Sequence, residues 1–109
     1  DRNVPVFPGV NSPSQVEMGL ARDLKVLKFF PAEASGGLKM LKAMAAPYGD
    51  VRFMPTGGIN IDNLKDYLAF DRIVACGGTW LATTALINES RFDKITRIVQ
   101  EVIKTTRQI

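Results

Sequence analysis

A chain of 109 residues without a single histidine excludes Ser-His triads, imidazole general bases and the usual His-built zinc sites. Its one cysteine, Cys76, rules out an intrachain disulfide and any CxxC motif and fits a reducing, cytoplasmic setting. The net charge of +3 comes from scattered Lys and Arg, so no nucleic-acid partner is expected, and no apolar stretch reaches the ~18 residues of a membrane span.

Hydrophobic residues make up 46% of the chain, enough for one globular unit over residues 1–109. The chain opens on Asp1 with no initiator methionine and no signal-peptide pattern, which fits a piece of a longer gene product.

The first apolar run, "VPVFPG" (4–9), reads as a strand over about 4–8. Ser12-Pro13-Ser14-Gln15 then supplies an N-cap, a proline at the first helical position and a capping-box glutamine. The helix that follows runs to about Arg22 with Val16 and Leu20 inward. "KVLKFFPA" gives a second strand, about 25–31, and Leu38, Leu41 and Ala45 stripe a second helix that ends near Pro47-Tyr48-Gly49. "VRFMPTGG" gives a strand at 51–55, followed by a helix carrying Leu64, Tyr67 and Leu68. "RIVACGG" gives a fourth at 72–76. A last helix from about Arg91 to Thr105 lines Phe92, Ile95, Val99, Val102 and Ile103 along one face and charges along the other, as an outer helix does.

Strand, turn and helix thus repeat four times, and the strand runs are apolar on both faces, as in parallel strands covered on both sides. An open doubly wound sheet usually carries its Gly-rich phosphate loop after the first strand. Here the first turn is "PGVNSPS", and glycine pairs close the third and fourth strands instead, the barrel arrangement. The expected fold is therefore α/β: a parallel (β/α)4 half of a TIM (β/α)8 barrel. Four strands leave two unpaired edges and one uncovered apolar face, to be met by a missing N-terminal half or by a second copy.

Within "VLKFFPAEASGG", period-two alternation puts Val26, Lys28 and Phe30 on one face and Leu27 and Phe29 on the other. If the first set faces the barrel interior, Lys28 sits among apolar groups near the carboxyl end of its strand. Burial favours the neutral amine, which can attack a ketone and form a Schiff base. The competing reading is a strand-end lysine that snorkels to solvent.

"PTGG" (55–58) and "CGGTW" (76–80) offer consecutive backbone amides, with Thr56 and Thr79 as further donors, and "LATTALINE" is expected to form a short helix behind them. One Gly-Gly is usually only a turn; two on neighbouring strand ends suggest a phosphate cradle. Glu33 reads either as a base for Lys28 or as an electrostatic cap on the following turn. Trp80 and Phe30 read as pocket lining or, more ordinarily, as core, and Cys76 as a small buried hydrophobe.

Taken together, "KFFPAEASGG", "VRFMPTGGI" and "GGTWL", preceded by "VPVFPGVNSPSQ", resemble the C-terminal half of the class I 2-keto-3-deoxy-6-phosphogluconate (KDPG) aldolases, also called 4-hydroxy-2-oxoglutarate aldolases. The resemblance implies a homotrimeric barrel that reversibly cleaves a phosphorylated keto acid to pyruvate and glyceraldehyde 3-phosphate, the last step of the Entner–Doudoroff route, without metal or cofactor. It puts the Schiff-base lysine at Lys28 and the pocket aromatic at Phe30. Substrate contacts fall on Thr56, Gly57 and Gly58, and together with this turn Gly77, Gly78 and Thr79 take the phosphate; family members often carry serine where this chain has Thr79. The family's general acid/base glutamate and its carboxylate-binding arginine and threonine lie in the half that this sequence lacks. Two alternatives accompany this expectation: a non-catalytic, phosphate-binding or self-associating half-barrel, and a sister aldolase acting on the 6-phosphogalactonate epimer.

Overall fold

Pro5 and Pro8 carry no amide hydrogen, and this decides where the sheet begins. In the computed structural model, which describes residues 2–109, the first strand, expected over 4–8, is confined to β1 (Gly9–Val10). The preceding residues run exposed along the sheet edge, and only the Pro8 carbonyl joins the ladder, accepting from the Lys28 amide at 2.9 Å.

β1 pairs in parallel with β2 (Val26–Phe29), and β2 with β3 (Arg52–Pro55), in the order β1-β2-β3. The fourth run, expected as a strand at 72–76, lies parallel to β3 but forms only isolated bridges, Phe53 to Ile73 and Thr56 to Gly77. Between these bridges the fourth segment holds one residue more than β3, a bulge that breaks the ladder and prevents a continuous strand.

Helices α1 (Pro13–Leu20), α2 (Gly37–Ala45) and α3 (Ile61–Leu68) cross back after each strand. A 3-10 turn at Thr79–Leu81, α4 (Thr84–Asn88) and α5 (Phe92–Arg107) complete the chain. Ser12 caps α1 by accepting from the Gln15 amide at 3.3 Å, with Pro13 in the first turn. The Gln15 side chain reaches back one residue further than a capping box requires, accepting from the Asn11 amide at 2.7 Å. Asn60 and Asn63 cap α3 reciprocally.

Only one face of the sheet is covered. Val10, Leu27, Phe29 and Phe53 point into the helix layer and meet Val16, Leu41, Met44, Leu64 and Tyr67 there. Leu27, Phe29 and Phe53 are completely buried, each contributing about 1.5–3 kcal/mol of transfer free energy. The uncovered apolar face expected of four strands is the opposite, front face: it carries Val26, Lys28, Phe30, Met54 and Val74, all partly or largely exposed. α5 packs against α3, α4 and the 3-10 turn, yet none of its apolar residues is buried, and Phe92, Val99 and Ile103 remain open.

Candidate active site

The front face of β2 presents Lys28. In the parallel register its neighbours are Gly9 on β1 and Met54 on β3. Gly9 has no side chain, so the space over the lysine on that side is open. Lys28 is half-buried, because nothing in this chain covers the front face; burial among apolar groups is the expectation for a closed barrel interior. Its Nζ lies 4.7 Å from the centre of the Phe30 ring, a cation–π contact. Phe30 is itself 48% exposed, so the core reading fails for it, whereas Trp80 packs partly against the core.

Beyond the strand, the chain turns sharply at Pro31 to Gly36, and this turn is laced to the "PTGG" turn. The Thr56 amide donates to the Phe29 carbonyl, Ala32 donates to the Thr56 carbonyl at 2.8 Å, and Glu33 to the Gly57 carbonyl at 3.0 Å. Gly57 and Gly58 both adopt left-handed φ, 101° and 77°. A Cβ on Gly57 would stand 3.2 Å from the Ala32 nitrogen, and one on Gly58 only 2.6 Å from the Cβ and Cγ of Glu33. Glycine is thus required twice over, by conformation and by the approach of the lysine turn.

Gly77 bridges to Thr56, whose Oγ1 would lie 2.7 Å from a Cβ at position 77. Gly78 lies against the Trp80 ring. Thr79 is exposed at the head of the 3-10 turn. Among the described residues, the backbone amides of Gly57, Gly58, Gly78 and Thr79 meet no protein acceptor. The structure therefore gathers Lys28, Phe30, Thr56, Gly57, Gly58, Gly77, Gly78 and Thr79 at the carboxyl ends of three adjacent parallel segments, the end where barrels do chemistry.

Glu33 does not serve Lys28. Its carboxylate is turned towards the helix layer, where the Tyr67 hydroxyl donates to Oε1 at 2.5 Å, beside Gly37 at the head of α2. Burial first, then this hydrogen bond to an anion, raise the pKa of Tyr67 well above the usual phenol value. Burial likewise pushes the Cys76 thiol up to about 11, so the cysteine is inert at neutral pH.

Two positions escaped the sequence reading. From the sequence Tyr67 reads as part of an apolar stripe, with no sign of its polar partner 34 residues away. Arg72 opens the fourth run and donates from Nε to the Val51 carbonyl at 2.7 Å, and from its terminal nitrogens to the Ala45 and Tyr48 carbonyls. It ties the end of α2 to β3, beneath the site. Nothing in its local pattern marks that role.

No cluster of His, Cys, Asp or Glu among the described residues could hold a metal ion, and no helix is long and apolar enough to cross a membrane. A cleft of about 410 Å3 lies apart from the lysine, between the N-terminal segment and α1, and Val6, Pro8, Met18 and Leu24 help line it. None of the gathered residues does.

A half-barrel that presents a lysine and two glycine turns at its strand ends has the makings of a carbonyl-condensing or carbonyl-cleaving site. The KDPG and KHG aldolase family model matches residues 1–98, and the chain belongs to that family. It is 52% identical over 103 residues to a 2-dehydro-3-deoxy-phosphogluconate aldolase of Haemophilus influenzae, covering 94% of this chain and 49% of that protein. The KHG/KDPG aldolase of Escherichia coli is 42% identical, with 93% of this chain and 47% of that protein covered.

Among solved structures, the KDPG aldolase of Legionella pneumophila, with pyruvate captured as a covalent carbinolamine intermediate, superposes with a TM-score of 0.86. The two are 38% identical, and the match covers 90% of this chain and 48% of that one. The Zymomonas mobilis 2-keto-3-deoxy-6-phosphogluconate aldolase with 3-phosphoglycerate superposes at 0.70 with 44% identity, over 72% of this chain and 37% of that one. The chain thus spans about half the length of the relatives it matches, and its fold is a parallel (β/α) half of their barrel.

Proposed function

We propose that this chain is the lysine-bearing half of a class I aldolase that cleaves 2-keto-3-deoxy-6-phosphogluconate reversibly into pyruvate and glyceraldehyde 3-phosphate. The observation that carries the reading is Lys28 on the open face of β2, beside Gly9 and one strand away from a turn with two unengaged glycine amides.

The neutral Lys28 amine adds to the C2 ketone of the substrate, giving a carbinolamine that loses water to an imine. Once protonated, the imine draws in the electron pair of the breaking C3–C4 bond, and the C4 hydroxyl gives up its proton as the aldehyde leaves. The resulting enamine takes a proton at C3, and water releases pyruvate and the free amine. Phe30 walls the pocket, and Thr56, Gly57 and Gly58 hold the substrate. The amides of this turn, together with those around Gly77, Gly78 and Thr79, take the phosphate. A pyruvate carbinolamine in the Legionella relative and a phosphorylated carboxylate in the Zymomonas relative support both halves of this assignment. The other half of the barrel packs on the uncovered front face, and the complete protein is a homo-oligomer.

Incubation with pyruvate, borohydride reduction and peptide mapping test the reading. An adduct on Lys28 is expected in the chain joined to an N-terminal half, and its absence overturns the assignment. In the chain alone, imine formation persists while turnover falls by about 10²–10⁴-fold, the usual contribution of a general acid/base.

A further inference from the structure

The glycine turn assigned above to substrate binding has a carboxylate for a neighbour. Glu33 lies over Gly58 so closely that a Cβ there would overlap its Cβ and Cγ at 2.6 Å. Its backbone amide is bonded to the Gly57 carbonyl at 3.0 Å. Glu33 is an exposed residue, and only the Tyr67 hydroxyl holds its carboxylate among the described hydrogen bonds. A free carboxylate on this stem is a local anion tethered within reach of two unengaged amides, and it would compete with any anionic substrate for them. Tyr67 is 1% exposed and fixed in the core by its ring, so it is a rigid post for the carboxylate.

We propose that Tyr67 is a positioning residue for anion binding: it draws the Glu33 carboxylate to the helix side and so keeps the Gly57–Gly58 amides free for the substrate's anionic group. The inference rests on the assignment of that turn to substrate binding. It makes Glu33 neither an acid nor a base in the reaction, but a competitor that the fold restrains.

The test is a titration of the 109-residue chain with inorganic phosphate, followed through the amide resonances of Gly57 and Gly58, in four forms: wild type, Tyr67→Phe, Glu33→Gln and the double variant. Tyr67→Phe removes the post, and the affinity is expected to fall about threefold or more. That is the size of one carboxylate–phosphate repulsion across roughly 6 Å of water. Glu33→Gln keeps the shape without the charge, so the single variant binds at least as well as wild type and the double variant regains wild-type affinity.

A merely structural role for the hydroxyl predicts that the double variant stays as weak as Tyr67→Phe, and that result overturns the proposal. So does unchanged affinity in Tyr67→Phe. If Tyr67→Phe does not fold, Glu33→Gln decides alone: weaker binding than wild type overturns the proposal. No phosphate response in the wild type itself refutes the substrate-binding assignment of the turn and takes this inference with it, while the borohydride adduct on Lys28 remains a separate readout.

Discussion

Replacing Gly58 by alanine adds one methyl group where the lysine turn leaves no room for it. Two costs can be worked from the structure. A φ of 77° is left-handed, which costs a residue with a Cβ about 1–2 kcal/mol. The methyl group would also sit 2.6 Å from the Cβ and Cγ of Glu33. Glu33 has little room to yield at its Cβ, because its amide is tied to the Gly57 carbonyl. Overpacking of this kind costs about 1–3 kcal/mol.

The expected loss is therefore about 2–5 kcal/mol, a large share of the 5–15 kcal/mol that keeps a typical domain folded. Gly49→Ala is the internal control. Gly49 has nothing within 4 Å of its missing Cβ and lies outside the left-handed region, so alanine there is neutral or stabilises by up to about 1 kcal/mol. Urea unfolding followed by far-UV circular dichroism measures both, with equal slopes expected. If the two variants fall within 1 kcal/mol of each other, the packing between the lysine turn and the glycine turn is not what fixes this site.

Arg72→Met strips three backbone carbonyls of a charged donor and is expected to cost about 2–4 kcal/mol, the half-exposed setting discounting the full charged-bond value. A midpoint drop of less than about 4 °C in a thermal scan would contradict that role. Cys76 binds its proton more tightly folded than unfolded, with burial raising its pKa from the ordinary 9.0 to about 11. The stability this gives is complete below pH 9 and is lost as the pH rises from about 9 to 11; the raised Tyr67 extends the loss above pH 10. Unfolding midpoints across that range are expected to fall less steeply in Cys76→Ala, and a parallel fall in both proteins would refute the assignment.

What the sequence conveyed well is what is written locally. Ser12 and Pro13 mark the start of α1 because a cap is made by neighbours in the chain. The paired glycines after β3 are legible because a left-handed turn demands them, whereas those after the fourth segment are kept free of a Cβ by the side chains of Thr56 and Trp80. Register is not written locally. The run at 72–76 has the composition of a strand, yet one extra residue between Ile73 and Gly77 breaks its ladder, and no periodicity reveals a bulge of one. Partners across the fold are equally hidden: a tyrosine on an apolar stripe reads as packing until its hydroxyl is seen on Glu33. Alternation and motif single out Lys28, but its burial depends on a layer that these residues do not supply.

That last point separates two properties of the site. The helix-side core is complete in this chain, with Leu27, Phe29, Phe53 and Val51 fully buried, and it holds the ends of β2 and β3 in register. The turns that follow are locked to each other by backbone bonds and by glycines that admit no side chain. The geometry of the turns proposed to bind the anion therefore belongs to this half alone. The surroundings of Lys28 do not, because Val26, Phe30 and Met54 stand on a face open to water. In the proposed reaction, desolvation of the amine and the proton transfers that follow imine formation are left to whatever covers that face. Under the proposed function, holding the anionic end of a substrate and activating its carbonyl are thus physically divided, the first fixed by the back of the sheet and the second completed from the front.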